Sequence, residues 1–299
     1  MIAYGRHFRA AQFAKAISLV GVAASPLLLK ALRHGPQAAF EFSARAKEVC
    51  DELSERDPIA EITLKELAGS RDAAGEVWLD LGSPSGEMPA GELACLCALA
   101  RLRQPQCVVE IGTARGWTTR HLARNTPKDC RIFTVDLPAE GRAAAAASHW
   151  SDPHLVTAAW DNQRDFEAEP KITQILHDST TIEWENLLDR KVDLALIDGS
   201  HLYEHVRADT ERLRRVLAPT AIVLWHDYST VEVRRGVRKY LLELHSSGWP
   251  IRRLAGTHFG VYGLACVGDS KESSKKRNNH DRPWPEIDEP EELSERCLH

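Results

Sequence analysis

Five short apolar runs, spaced so that helical segments fill the gaps between them, constrain this chain more than any other feature. They are Cys107–Ile111, Arg131–Leu137, Ile172–Leu176, Val192–Ile197 and Ala221–Trp225, each too short for a helix and rich in residues that suit a strand. Helical periodicity occupies 92–103, 117–125, 202–217 and 231–245. Two closely spaced strand-like segments follow, 250–255 and 259–267, and predict an antiparallel hairpin. Strands alternating with helices predict a mostly parallel sheet covered by helices on both faces. In such sheets ligands bind beyond the carboxyl ends of the strands, so the residues just after each run carry the functional information.

Those residues are not neutral. The first run leads into EIGTARGWTT (110–119), whose Gly112 and Gly116 allow a tight turn and a close approach of backbone to a ligand at a helix N-terminus. The spacing differs from the dinucleotide G-x-G-x-x-G, and the loop lacks the lysine of a P-loop. Asp136 ends the second run, at a position suited to accepting hydrogen bonds from ribose hydroxyls. Asp178 and Ser179 follow the third run, Asp198 and His201 the fourth, and His226 and Asp227 the fifth.

From about residue 90 to 267 the chain resembles a class I S-adenosylmethionine-dependent methyltransferase. EIGTARGWTT is similar to the glycine-rich first motif, TVDLP (134–138) to the acidic ribose-binding turn, and HDS (177–179) to the adenine-side turn. GTHFGVYGL (256–264) resembles the closing hairpin of the same fold, while VDLALIDGSHLYEHVRAD (192–209) followed by WHDY (225–228) resembles a narrower branch. That branch holds sugar and macrolide O-methyltransferases and cephalosporin hydroxylase-like proteins. The resemblance implies a Rossmann-like, doubly wound, seven-stranded sheet with an antiparallel C-terminal hairpin. It implies S-adenosylmethionine as cofactor, held by Glu110, Gly112, Thr113, Gly116, Asp136, Asp178 and Ser179. The implied reaction is methyl transfer to a hydroxyl oxygen of a small molecule, a sugar or natural product.

At the acceptor side the resemblance makes His201 the general base, with Asp198 beside it in a catalytic role. An imidazole can take an alcohol's proton near neutral pH. It also implies a divalent cation, Mg²⁺ or Mn²⁺, on Asp198, His226 and Asp227. The branch usually has a Glu-Asp pair where this chain has His226-Asp227, and imidazole suits Mn²⁺, Fe²⁺ or Zn²⁺ better than Mg²⁺. Two other readings stand beside this one. The fold could serve as a non-catalytic, cofactor-binding subunit. Alternatively, His201-x-x-Glu204-His205 matches the H-x-x-E-H pattern of inverted zinc peptidases, which needs both histidines on one helix face.

The flanks read differently from the core. Residues 1–85 are expected to form a helical N-terminal extension, 86–268 the catalytic domain and 269–299 a polar, acidic tail. Residues 1–40 carry Arg6, Arg9, Lys15, Lys30 and Arg33 and no acid. The extension is read as a helix packed on the body or on a second copy in a homo-oligomer. Its alternative is a membrane-surface contact through residues 1–35. Residues 139–170, with Trp150, Trp160 and Asp161, form an insertion that could cover the acceptor. A net charge of −5 argues against a nucleic-acid partner, and no apolar run is long enough to cross a bilayer. The seven cysteines include no C-x-x-C pair, which predicts reduced thiols and a cytoplasmic setting.

Overall fold

The computed structural model describes residues 57–69, 75–80, 82, 88–138, 140–141, 169–228 and 235–263. The chain divides into two compact units, Met1–Pro58 and Ile59–His299, and every secondary-structure element described lies in the second. The N-terminal segment through residue 56, the insertion with Trp150, Trp160 and Asp161, and the tail from residue 264 onward lie outside the described residues.

Eight strands form one sheet: β1 (Glu61–Ile62), β2 (Cys107–Ile111), β3 (Arg131–Asp136), β4 (Ile172–Leu176), β5 (Val192–Ile197), β6 (Leu217–Trp225), β7 (Arg252–Leu254) and β8 (Gly260–Tyr262). Their spatial order is β1-β7-β8-β6-β5-β2-β3-β4. The β2–β3, β3–β4, β2–β5, β5–β6 and β1–β7 pairs are parallel, and β8 runs antiparallel to both β6 and β7. Chain order therefore reverses between β2 and β5, the kind of switch point where such sheets bind ligands.

Five helices are described: α1 (Leu64–Ala68), α2 (Ala90–Arg103), α3 (Trp117–Asn125), α4 (Tyr203–Leu213) and α5 (Arg235–Ser246). The central strands show why both faces need covering. Val109, Ile111, Ala195, Ile197, Val223 and Trp225 point into one buried layer with Val206 and Leu213 of α4 and Leu241 and Leu244 of α5. Their neighbours Val108, Leu194, Leu196, Ile222 and Leu224 point into the opposite layer, with Leu93, Leu96 and Leu99 of α2 and Leu122 of α3. This is the two-residue period of a strand buried on both sides.

Seven strands were expected and eight are found. The extra one, β1, is two residues long, too short to register as an alternating pattern, and it lies where the sequence reads as helix. It pairs with β7 through Glu61↔Arg253 and Ile62↔Leu254. Helix begins immediately afterwards, because Thr63 and Glu66 form a reciprocal capping box: Thr63 Oγ1 accepts from Glu66 N at 3.2 Å and Glu66 Oε2 from Thr63 N at 2.7 Å. The helix expected over 202–217 ends at Leu213, followed by a 3₁₀ turn at Arg214–Val216, and β6 starts at Leu217 rather than Ala221.

Cys95, Cys97, Cys107 and Cys130 are free thiols, as expected. Burial pushes Cys97 and Cys107 up to about 12 and Cys130 up to about 11, so these three stay protonated and unreactive. No helix among the described residues is long and apolar enough to cross a membrane.

Residues 75–80 form a strap on α3, tied down by two polar side chains. Fully buried Asn125 accepts from Trp78 N at 2.9 Å and donates to Trp78 O and His121 O, each at 2.8 Å. His121 Nε2 accepts from Asp80 N at 3.0 Å. Truncating Asn125 to alanine leaves the backbone N–H and carbonyl of Trp78 in the strap without this partner. Asn125→Ala is expected to lower the unfolding free energy by about 1–3 kcal/mol. It should also speed hydrogen exchange at the Trp78 amide, which urea titration and exchange measurements would check together.

Candidate functional site at the strand ends

The glycine loop after β2 is braced from below by hydroxyl groups. Glu110 is fully buried, and its Oε2 accepts from Thr119 Oγ1 at the start of α3 and from Thr134 Oγ1 of β3, the latter at 2.6 Å. Thr134 spends its single hydroxyl proton on Glu110, so in the 2.7 Å contact between Thr113 Oγ1 and Thr134 Oγ1 it is Thr113 that donates. Glu110 thus ties strand, helix and loop together from inside the protein, and Thr113 joins the loop to the same chain of hydrogen bonds. Gly112 sits at φ +102°, and a Cβ there would fall 2.2 Å from the Asp198 carbonyl oxygen. No other residue allows the ends of β2 and β5 to approach so closely. Gly116, at φ +75°, turns the chain into α3.

Asp136 ends β3, with Oδ1 accepting from Leu137 N at 2.9 Å. After β4, Asp178 caps a short 3₁₀ turn (Ser179–Thr181) by accepting from Thr180 N at 3.0 Å and Thr180 Oγ1 at 2.7 Å. Helix α4 backs this turn. The Arg212 guanidinium donates to the carbonyls of Thr180 and Ile182. The buried Asp209 carboxyl lies near Ser179 and Asp178, and burial, reinforced by the Asp178 charge, pushes it up to about 7 against the pull of Ser179 and Arg212.

Beyond β5 and β6 the polar residues converge. His201 Nε2 lies 2.9 Å from Asp227 Oδ2, while His226 Nδ1 lies 3.0 Å from that same oxygen and 3.1 Å from Asp198 Oδ1. His226 Nε2 is 2.7 Å from Glu92 Oε2, on α2. Asp227 adopts φ +64°, an uncommon conformation for a residue with a side chain, and its carboxylate is almost wholly buried. Burial favours a neutral Asp227, but His201 and His226 outweigh it and hold the carboxyl far below the usual range. Burial likewise opposes charge on His226; Asp198, Asp227 and Glu92 override it and hold the ring protonated well above its ordinary value.

The same atoms fit a divalent cation. His226 Nδ1 is a buried nitrogen with no aligned hydrogen-bond partner, and it faces two carboxylate oxygens. Ligand atoms of Asp198, His201 and Asp227 also lie within 4.8 Å of one another. The structure therefore brings together all three residues expected to hold a metal and adds His201 to them. A mixed nitrogen and carboxylate set suits Mn²⁺, Fe²⁺ or Zn²⁺ better than Mg²⁺.

The peptidase pattern fails on geometry. Helix α4 begins at Tyr203, so His201 precedes it and shares no helical face with His205. Sequence reasoning also missed three residues. Glu92 reads as an ordinary acid at a helix start, and Asp209 as an ordinary surface acid of α4. Gly236, in the first turn of α5, gives no local signal, yet a Cβ there would fall 2.2 Å from the His201 carbonyl oxygen and 2.3 Å from Tyr203 N. Its missing side chain is what lets α5 press against the segment carrying His201.

Residues 109–228, running from β2 to just past β6, match a family model described as a methyltransferase domain. Over 74 residues the chain is 35% identical to a protein of Sinorhizobium fredii (strain NBRC 101917 / NGR234) named "Uncharacterized protein y4gI"; the match spans 25% of this chain and 8% of that relative's length. Among solved structures, the chain is similar to the O-methyltransferase TomG of Streptomyces achromogenes, involved in tomaymycin synthesis, in complex with S-adenosylmethionine. That likeness has a TM-score of 0.41 and 19% identity, covering 68% of this chain and 89% of TomG. It is also similar to an O-methyltransferase of Bacillus cereus in complex with S-adenosylhomocysteine, at 0.41 and 16%, over 72% and 93% of the two chains. A TDP-rhamnose 3'-O-methyltransferase of calicheamicin biosynthesis gives 0.42 and 20%, over 60% and 80%. At these values the solved structures bear on neither the acceptor nor the roles of individual residues.

The raised Asp209 carboxyl sets a pH dependence. Below the ordinary value of 3.8 both folded and unfolded chains hold this proton, and nothing is gained or lost. Between 3.8 and about 7 only the folded chain holds it, so folding loses stability as pH rises; above about 7 the loss is constant. Asp209→Asn removes the titration. The variant is expected to gain on the wild type between pH 4 and 7 and to keep a constant advantage above that range. Urea unfolding at pH 5 and pH 8 would show it, and an equal difference at both values would contradict it.

Proposed function

We propose that this protein binds S-adenosylmethionine at the carboxyl ends of β2, β3 and β4 and transfers its methyl group to a hydroxyl oxygen of a small molecule, of the sugar or natural-product kind. One observation carries the reading: within the segment that matches a methyltransferase domain, the Asp178 turn, Asp136, the glycine loop and the Asp198–His201–Asp227 cluster stand side by side along one edge of the sheet, with the chain reversing direction between β2 and β5. Gly112, Thr113 and Gly116 would line the cofactor, with Glu110 bracing their loop, and Asp136 would accept from its ribose hydroxyls. Asp178 and Ser179 would lie beside its adenine. Bound there, the cofactor supplies a methyl group on a positively charged sulfur.

The residues beyond β5 and β6 then deal with the acceptor's proton. His201, which Asp227 holds at Nε2, accepts the hydroxyl proton as the oxygen takes the methyl group. The proton ends on His201, and Asp227 stabilises the resulting imidazolium. The cofactor leaves as the neutral thioether, S-adenosylhomocysteine. Asp198 stands on the acceptor side, at the end of β5. A divalent cation held by Asp198, His226 and Asp227 would supply Lewis-acid lowering of the hydroxyl's pKa.

Calorimetry is expected to give micromolar-range binding of S-adenosylhomocysteine. Asp136→Ala should weaken it by about 1–3 kcal/mol, the loss of a charge-assisted hydrogen-bond partner. Given an acceptor from a panel of sugars and hydroxylated natural products, His201→Gln should leave cofactor affinity within a few-fold. Its methyl-transfer rate should fall by roughly 10²–10⁴. Absence of any heat or thermal shift with either cofactor form would sink the proposal. A His201→Gln protein as fast as wild type would remove the base alone.

A further inference from the structure

Glu92 is the most deeply committed charge near the site that the proposed chemistry does not use. It lies in the first turn of α2, where an acid is ordinarily explained by the helix dipole. Its contacts point elsewhere. Oε2 lies 2.7 Å from His226 Nε2, after β6. Oε1 accepts from the backbone N of His258 at 2.6 Å and lies 2.9 Å from His258 Nδ1, in the turn between β7 and β8. Both oxygens are thus occupied by segments 134 and 166 residues away in the chain, and the side chain is only 5% exposed. Burying a carboxylate this deeply is costly unless every partner is in place.

The contacts also decide how His226 is presented. A carboxylate at 2.7 Å accepts the proton on Nε2, and that leaves Nδ1 as the nitrogen facing Asp198 and Asp227. Phe259 packs its ring against His226, with centroids 5.2 Å apart. Tyr228 N donates to His258 O at 2.8 Å, so the β7–β8 turn is latched to the segment that carries His226 and Asp227 and, through Glu92, to α2.

We propose that Glu92 is a positioning residue of the acceptor site: it holds the His226 ring with Nε2 protonated and Nδ1 turned to Asp198 and Asp227, and it latches the β7–β8 turn beside that ring. Its role in the reaction rests on reading this cluster as the place where the acceptor is activated; its hold on His226 does not. A carboxylate that accepts from one ring nitrogen in this way fixes the direction of the ring.

The test uses the full-length protein labelled with ¹⁵N at histidine. His226 is assigned by comparison with His226→Gln, and long-range ¹H–¹⁵N correlation shows whether Nε2 carries a proton. In the wild type, Nε2 of His226 is expected to be protonated, with a strongly deshielded and slowly exchanging proton. In Glu92→Leu, which has similar bulk and no acceptor, that proton signal should vanish while the affinity for S-adenosylhomocysteine stays within about threefold. The proposal is overturned if wild-type Nε2 carries no proton, if that proton exchanges at the rate of a solvent-exposed imidazole, or if the signal survives unchanged in Glu92→Leu. Should Glu92→Leu fail to fold, the wild-type spectrum alone still decides. Failure of the wild type to bind S-adenosylhomocysteine would remove the methyltransferase reading and leave the His226 result to stand or fall on its own.

Discussion

Three backbone hydrogen bonds at the top of the sheet set the position of everything that follows. Gly112 N donates to Val135 O, Asp198 N to Ile111 O, and His226 N to Ile197 O, at 2.9, 2.8 and 3.1 Å. Each joins the first residue beyond one strand to the last turn of the ladder on its neighbour. The parallel register beneath them matches Ile111 with both Val135 and Ile197, and Ile197 with Trp225. Strand ends that could have been staggered therefore finish at one level, and their first loop residues face a common space. Gly112 is the tightest point, because a side chain there would collide with the Asp198 carbonyl.

Charge makes the second demand. Glu92, Asp198 and Asp227 come together around His226, with His201 and His258 at the edges. Carboxylates at this depth repel one another and lose hydration, and positive charge among them is what makes the arrangement affordable. A protonated His226 supplies it in the protein alone. The cluster is thus a polar core in its own right, built at the junction of α2, β5, β6 and the β7–β8 turn.

Much of this was legible in the sequence, for a physical reason. Buried parallel strands must be short and apolar, so Cys107–Ile111, Val192–Ile197 and the residues just beyond them stand out. Gly112, Asp136, Asp178, Asp198, His201, His226 and Asp227 all fall in such positions. Features that depend on tertiary partners did not show. Two residues of β1 carry no period, and their strand exists only because β7 lies alongside. Glu92 is chemically ordinary until His226 and His258 close on it from the far half of the chain. Gly236 matters through a backbone segment some thirty residues earlier in the chain, which no local pattern encodes. The H-x-x-E-H match misled in the opposite direction, since a pattern says nothing about which residue starts the helix.

The central claim is that these strand ends form one cofactor-binding edge, and a crystal structure of the full-length protein grown with S-adenosylhomocysteine tests it most directly. The account predicts the ligand against the Gly112–Gly116 loop, its ribose hydroxyls within hydrogen-bond distance of the Asp136 carboxylate, about 2.6–3.2 Å, and its sulfur on the side of Asp198 and His201. A ligand seated elsewhere on the molecule, or one whose ribose turns away from Asp136, would contradict it.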